Sequence, residues 1–144
     1  MKPSLQPGIE HRMTYTVPPG KVVAGLFSES ETLQDMPRVF ATGFLIGLLE
    51  WACVEAIKPH LDWPAEQSVG IQVDVTHEAP TPPGMEVLVK AEVLEVVGRR
   101  ISFRVEANDG IDTISRGTHD RAVIDADSFG ERAALKLNQA AAQK

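Results

Sequence analysis

The longest apolar stretch of the chain runs from Val39 to Lys58 and stops at Pro59. It is apolar on nearly every side for its first four turns, a pattern that predicts a buried helix rather than one laid on a surface. Pro37 fits the first helical turn, with Asp35 or a neighbour as the cap. Before Glu55 only the Thr42 hydroxyl and the Glu50 carboxylate interrupt the apolar surface. An ionised carboxylate in such a place is costly unless it is paired or hydrogen-bonded, so the pattern demands a partner for Glu50.

The rest of the chain alternates with period two. Ile9 to Val17 reads as a strand closed by Pro18-Pro19-Gly20, and Lys21 to Phe27 fits either a short helix or a strand. Ser28 to Met36 is acidic and irregular, and Pro59 to Gln67 is a polar loop. From Ser68, the residues Ile71, Val73, Val75, His77 and Ala79 share one face, with Gln72, Asp74, Thr76 and Glu78 on the other. This predicts a half-buried strand, stopped at Pro80 to Gly84. Met85, Val87, Val89, Ala91 and Val93 form the next inward face, up to a turn at Gly98. Ile101, Phe103, Val105 and Ala107 form another, closed by the hairpin signal Asn108-Asp109-Gly110. A last strand spans about Ile111 to Ile124, and the tail beyond Ser128 reads as a short or fraying helix.

A sheet with one apolar face needs a cover, and only one helix is greasy enough to provide it. The expected fold is α+β: a long antiparallel sheet wrapped around one central buried helix, the hot-dog architecture. One domain is expected over 1–144, with its core at about 9–125 and a tail at 126–144. Open edge strands in such a sheet favour pairing with a second subunit, hence a homodimer.

Composition narrows the functional classes. Net charge is −6, from 14 basic and 20 acidic residues, with no Lys/Arg cluster, which disfavours nucleic-acid binding. The lone Cys53 lies among apolar neighbours and fits packing in a reducing compartment. No signal peptide or membrane span is visible, so a cytoplasmic, membrane-free location is expected. No metal-ligand spacing, phosphate loop or serine elbow occurs, and no cofactor is expected.

The candidate chemistry therefore falls to few residues. Strand parity places His77 on the face that packs on the helix carrying Glu50, which would make an acid/base pair; the alternative is a core histidine bonded to backbone. Thr42 and Glu50 stand about 80° apart and ~12 Å along the helix, so they can border one elongated pocket. Thr42 near the helix start sits where negative charge is favoured, unless its hydroxyl is merely bonded back to the preceding turn. Gly43 and Gly47 permit close approach of backbone or a thin ligand, or else tight helix-on-sheet packing. Gly70 could offer a backbone N–H to an oxyanion. His119, Arg121 and Val123 share a face of the last strand, where Arg121 could bind a phosphate or an acid but most strand arginines are solvated.

Several segments together, in order and spacing, resemble a known family. They are Pro37 to Phe44, Gly47 to Cys53, Val75-Thr76-His77, Thr81 to Gly84, Asn108-Asp109-Gly110 and Gly117 to Ile124. Over roughly residues 10 to 125 the chain resembles the fluoroacetyl-CoA thioesterase family of hot-dog proteins. The resemblance implies a homodimeric acyl-CoA thioesterase with Thr42, Glu50 and His77 as the catalytic group and Gly70 and Arg121 at the substrate. It departs in the lid segment ahead of the helix, where Leu33 and Met36 stand in place of phenylalanines. That change implies a general short-chain acyl-CoA substrate rather than strict fluoroacetyl selectivity. The competing expectations are a 3-hydroxyacyl-thioester dehydratase or hydratase, and a non-catalytic acyl-thioester-binding dimer.

Overall fold

The computed structural model describes residues 1–143. Alternating apolar residues build strands β1 (Glu10–Thr16), β2 (Glu66–Val75), β3 (Glu86–Val97), β4 (Arg100–Asn108) and β5 (Thr113–Asp125). They pair antiparallel in the spatial order β1-β3-β4-β5-β2, leaving β1 and β2 at the two edges. The helix α2 (Thr42–Ile57) lies across this sheet, chiefly against β3 and β1. Its Leu45, Leu48, Leu49, Ala52, Cys53, Ala56 and Ile57 are buried against Val87, Val89, Ala91 and Val93 of β3 and Ile101, Phe103 and Val105 of β4. Burying each large aliphatic or aromatic side chain contributes roughly 1.5–3 kcal/mol, so this helix–sheet layer carries the fold. The sheet wrapped on one helix is as expected.

The helix itself corrects the sequence reading in two ways. It begins at Thr42, not near Pro37, because the preceding residues are held extended by neighbours. Phe40 N–H donates to the Thr81 carbonyl at 2.8 Å, and Ala41 N–H donates to the Lys21 carbonyl at 3.1 Å. Ala41 is therefore the extended N-cap, and no side chain caps the helix. Nor is the helix buried all round: Thr42, Gly43, Gly47 and Trp51 are exposed, and Ile46, Glu50 and Val54 are half-buried. Trp51, at 48% exposure, is too large for a face meant to meet water alone.

Ahead of α2 the ambiguous segment forms two short 3-10 turns, Pro19–Lys21 and Val23–Gly25. The acidic stretch expected to be irregular contains the short helix α1 (Glu31–Gln34), where Ser30 Oγ accepts from Leu33 N–H at 3.2 Å. The tail is a full helix, α3 (Ala126–Ala142), whose start is capped by Asp125 accepting from Ser128 N–H at 2.9 Å. No helix among the described residues is long and apolar enough to cross a membrane.

Strand β2 departs most from expectation. Its register against β5 shifts between Gly70 and Gln72, so Ile71 falls in a bulge. Ile71 is 48% exposed and Val73 43% exposed, although parity placed both on the half-buried face. The reason is position: β2 is an edge strand, beyond the part of the sheet that α2 covers. The strand also ends at Val75, so His77 and Ala79 lie past it; Thr76 and Glu78 N–H still donate to the Arg116 and Ile114 carbonyls.

Candidate active site

The expected chemical residues fall into two clusters at different points of α2. At the helix start, Thr42 Oγ1 lies 2.7 Å from Nδ1 of His77. Burial lowers the His77 pKa below its ordinary value, so the ring is neutral near pH 7. Its Nε2 is buried and bonded to nothing. Around it the first-turn N–H groups of α2 are free of side-chain caps, and Thr42 itself is exposed. Such N–H groups form a ready site for negative charge.

The second cluster surrounds Glu50, two turns further along. Glu50 Oε1 accepts from Arg121 Nη1 at 3.1 Å and stands 3.7 Å from His119 Nε2. Arg121 is also held by Ser68, donating from Nε to Oγ at 2.8 Å and from Nη2 to the carbonyl at 2.9 Å. His119 and Arg121 are 3% and 5% exposed, whereas the Glu50 side chain is 40% exposed. The carboxylate thus leans from α2 onto a buried cation, with one side facing open space. It borders a hollow of about 320 Å³ lined by Ile46, Gly70, Ile71, Gln72, Val73 and His119.

Gly70 is what lets the carboxylate sit there. A Cβ at this position would lie 2.3 Å from Glu50 Oε1 and 3.1 Å from His119 Cε1. The bulge that follows Gly70 and the missing side chain together open the floor of the site.

The structure therefore reassigns the expected partner of Glu50. His77 and Glu50 do not meet within one chain; His77 meets Thr42, and Glu50 meets Arg121. Arg121 is not the solvated arginine that strand statistics favour, and His119, given no role from the sequence, is part of the cluster. The signal was present in β5: Val123 fixes the inward face at 2% exposure, and Arg121 and His119 share its parity. Asp120, on the opposite face, pairs outward with Arg100. Leu33 lies half-buried in α1 and Met36 just beyond it, 44% exposed, in the lid segment. Gly43 would place a Cβ 2.9 Å from Leu26 Cδ2, whereas a Cβ on Gly47 meets open space, beside an apolar groove of about 240 Å³ that also includes Tyr15, Phe44 and Trp51. Burial pushes the Cys53 thiol up to about 12, so it stays protonated and is no nucleophile.

Comparison with known proteins points to one family. A family model described as FlK, fluoroacetyl-CoA-specific thioesterase, matches residues 24–127. The curated fluoroacetyl-CoA thioesterase of Streptantibioticus cattleyicolor is 48% identical over 136 residues, covering 94% of this chain and 97% of that protein. A crystal structure of the fluoroacetyl-CoA thioesterase FlK is similar at a TM-score of 0.90 and 47% identity, over 92% of this chain and 98% of that one. Variants of that relative have been crystallised with acetyl-CoA, and with fluoroacetate and CoA. A thioesterase superfamily member from Thermus thermophilus is 29% identical over 98% of this chain and 99% of its own, with a TM-score of 0.82.

Proposed function

We infer that this protein, which belongs to the fluoroacetyl-CoA-specific thioesterase family, is an acyl-CoA thioesterase. It hydrolyses a short-chain acyl-CoA to the free acid and CoA. The observation that carries this reading is the Glu50 carboxylate, held on buried Arg121 yet open on its other side, above the space that Gly70 clears. A carboxylate with those surroundings is oriented and reachable. It adds to the thioester carbonyl directly, giving a mixed anhydride that water then cleaves, or takes a proton from a water that adds instead. The negative charge that develops on the carbonyl oxygen is met by free N–H groups at the start of α2, with Thr42 beside them. Collapse breaks the C–S bond, and the thiolate leaves as CoA, taking a proton from water or the one that Glu50 removed from the attacking water. Hydratase chemistry would need a proton moved at the α-carbon, and no observation favours it.

Within one chain, however, the Thr42–His77 pair and the Glu50–Arg121 pair are separated by about 12 Å of helix. We propose that a homodimer joins them. Two features support it: the exposed apolar middle of edge strand β2 and the exposed outer side of α2. Two β2 strands pairing antiparallel about a two-fold axis near Val73 would set residue i opposite about 146 − i. The partner subunit's His77 then stands opposite Val69–Gly70, next to Glu50. Leu33 and Met36 in the lid leave more room and less aromatic contact for the acyl group, consistent with short acyl chains without strict demand for fluorine. A cytoplasmic location fits a protein acting on acyl-CoA.

The test is thiol release from acetyl-, fluoroacetyl- and longer acyl-CoA. Wild-type protein should release CoA from short chains, and Glu50→Gln should reduce kcat by at least ~100-fold. Binding of acyl-CoA without turnover by the wild type, or near-normal turnover by Glu50→Gln, overturns the assignment.

A further inference from the structure

His119 is buried at 3% exposure on β5, its ring lying against Phe103 with centroids 6.5 Å apart. Both of its nitrogens are engaged, and their partners define the protonation state. Nδ1 is 2.7 Å from the Gln72 carbonyl, which can only accept, so Nδ1 carries the hydrogen. Nε2 is 3.1 Å from Nη1 of Arg121, which can only donate, so Nε2 offers a lone pair. A proton on Nε2 would set two donors and two positive charges face to face.

The same Nη1 has two hydrogens. One goes to His119 Nε2 and the other to Glu50 Oε1, each across 3.1 Å. The guanidinium is planar and rigid, so fixing one hydrogen of Nη1 aims the other. Ser68 holds the far side of the guanidinium through Nε and Nη2. Without His119, Nη1 keeps a single acceptor, the carboxylate of a half-exposed side chain that is itself free to swing.

We propose that His119 is a positioning residue: a neutral imidazole, protonated at Nδ1, whose Nε2 lone pair aims Arg121 and through it the Glu50 carboxylate. Its action on turnover rests on the thioesterase reading above, whereas its tautomer does not. The groups facing it are Arg121, Glu50 and, along β5, Asp120. Burial, the largest cause, and Arg121 lower the histidine pKa while the Gln72 carbonyl, Glu50 and Asp120 raise it, with a net shift downward. The bulge at Gly70–Gln72 lies where β2 supplies the carbonyl, which ties the imidazole to the strand that floors the site.

Two measurements test this. In protein labelled with 15N-histidine, the His119 ring should appear as the Nδ1–H tautomer and titrate below the ordinary histidine range. An Nε2–H tautomer, or protonation at an ordinary histidine pH, overturns the proposal whatever the activity proves to be. In thiol-release kinetics, His119→Phe keeps a flat ring but no acceptor, and should lower kcat about 10-fold or more with KM changed less than about 3-fold. His119→Gln returns an acceptor oxygen near the Nε2 position and should recover most of that loss. Equal kcat for His119→Phe and wild type, or equal losses in both folded variants, overturns it. If neither variant folds, the wild-type tautomer decides. If the wild type releases no thiol from any acyl-CoA, the thioesterase reading fails while the tautomer still tests the contact.

Discussion

The close approach of Gly70 to Glu50 makes Gly70→Ala the most informative single change. The added Cβ would sit 2.3 Å from Glu50 Oε1 and 3.5 Å from Arg121 Nη1. Ordinary contact between a methyl carbon and an oxygen is about 3.4 Å, so the carboxylate must move by ~1 Å or more. The fold can absorb this, because the offending atom is the tip of a side chain that is 40% exposed. Chemistry cannot absorb it so cheaply. A displacement of about 1 Å in a reacting group costs on the order of 100-fold, equivalent to ~2.7 kcal/mol in the barrier. Stability should move the other way, if at all, since alanine is favoured over glycine within a strand by roughly 0.5–1 kcal/mol. The expected result is a variant with an unchanged or slightly raised melting temperature, whose kcat for acetyl-CoA in a thiol-release assay falls about 100-fold. Turnover within about 3-fold of wild type would refute the claim that this glycine exists to seat the carboxylate. So would an activity loss that simply tracks a fall in melting temperature.

Two further outcomes follow from the same geometry. Mixing inactive Glu50→Gln and His77→Ala proteins and allowing subunits to exchange should restore about a quarter of wild-type activity. Half of the dimers are then mixed, and each mixed dimer has one intact site if Glu50 and His77 come from different subunits; no recovery after confirmed exchange would rule out the shared site. Because burial lowers the His77 pKa, its contribution to stability is fully present above the unfolded value near 6.5 and is lost as pH falls through that value towards the folded one. The melting temperature should therefore drop between pH 7 and pH 5, less steeply in His77→Gln, and parallel slopes in the two proteins would remove His77 as a contributor.

The sheet was legible in the sequence because its inner strands follow a period of two, β3 as far as Val93 and β4 throughout, and end at turns marked by Gly98 and by Asn108-Asp109-Gly110. The same rule failed at β2 for a definable reason. Parity cannot see a bulge, and one extra residue at Ile71 turns the following side chains relative to the strand before it. Parity also cannot tell an edge strand from a central one, which is why Ile71 and Val73 were expected to be covered. The start of α2 was misjudged because Phe40 and Ala41 are held extended by hydrogen bonds to Thr81 and Lys21, contacts from distant parts of the chain. Glu50 announced itself as a carboxylate in need of a partner, yet within one chain the nearest histidine by parity does not reach it. Its cation comes from Arg121, 71 residues away, across a sheet order that the sequence does not spell out.

The spacing of Thr42 and Glu50 on one rod has a consequence for how such a protein can change over evolutionary time. If each α2 serves one active site with its first turn and the other with its third, the helix is a shared ruler. Inserting or deleting a single residue between positions 42 and 50 would turn one group about 100° relative to the other, and would damage both sites of the dimer at once. On the shared-site reading, a change of length in this segment therefore costs both sites. Novelty in substrate range is channelled instead into the lid ahead of the helix, where Leu33 and Met36 can vary without disturbing the ruler. On that reading, the reaction chemistry and the substrate preference are written in adjacent stretches of chain, under very different freedom to drift.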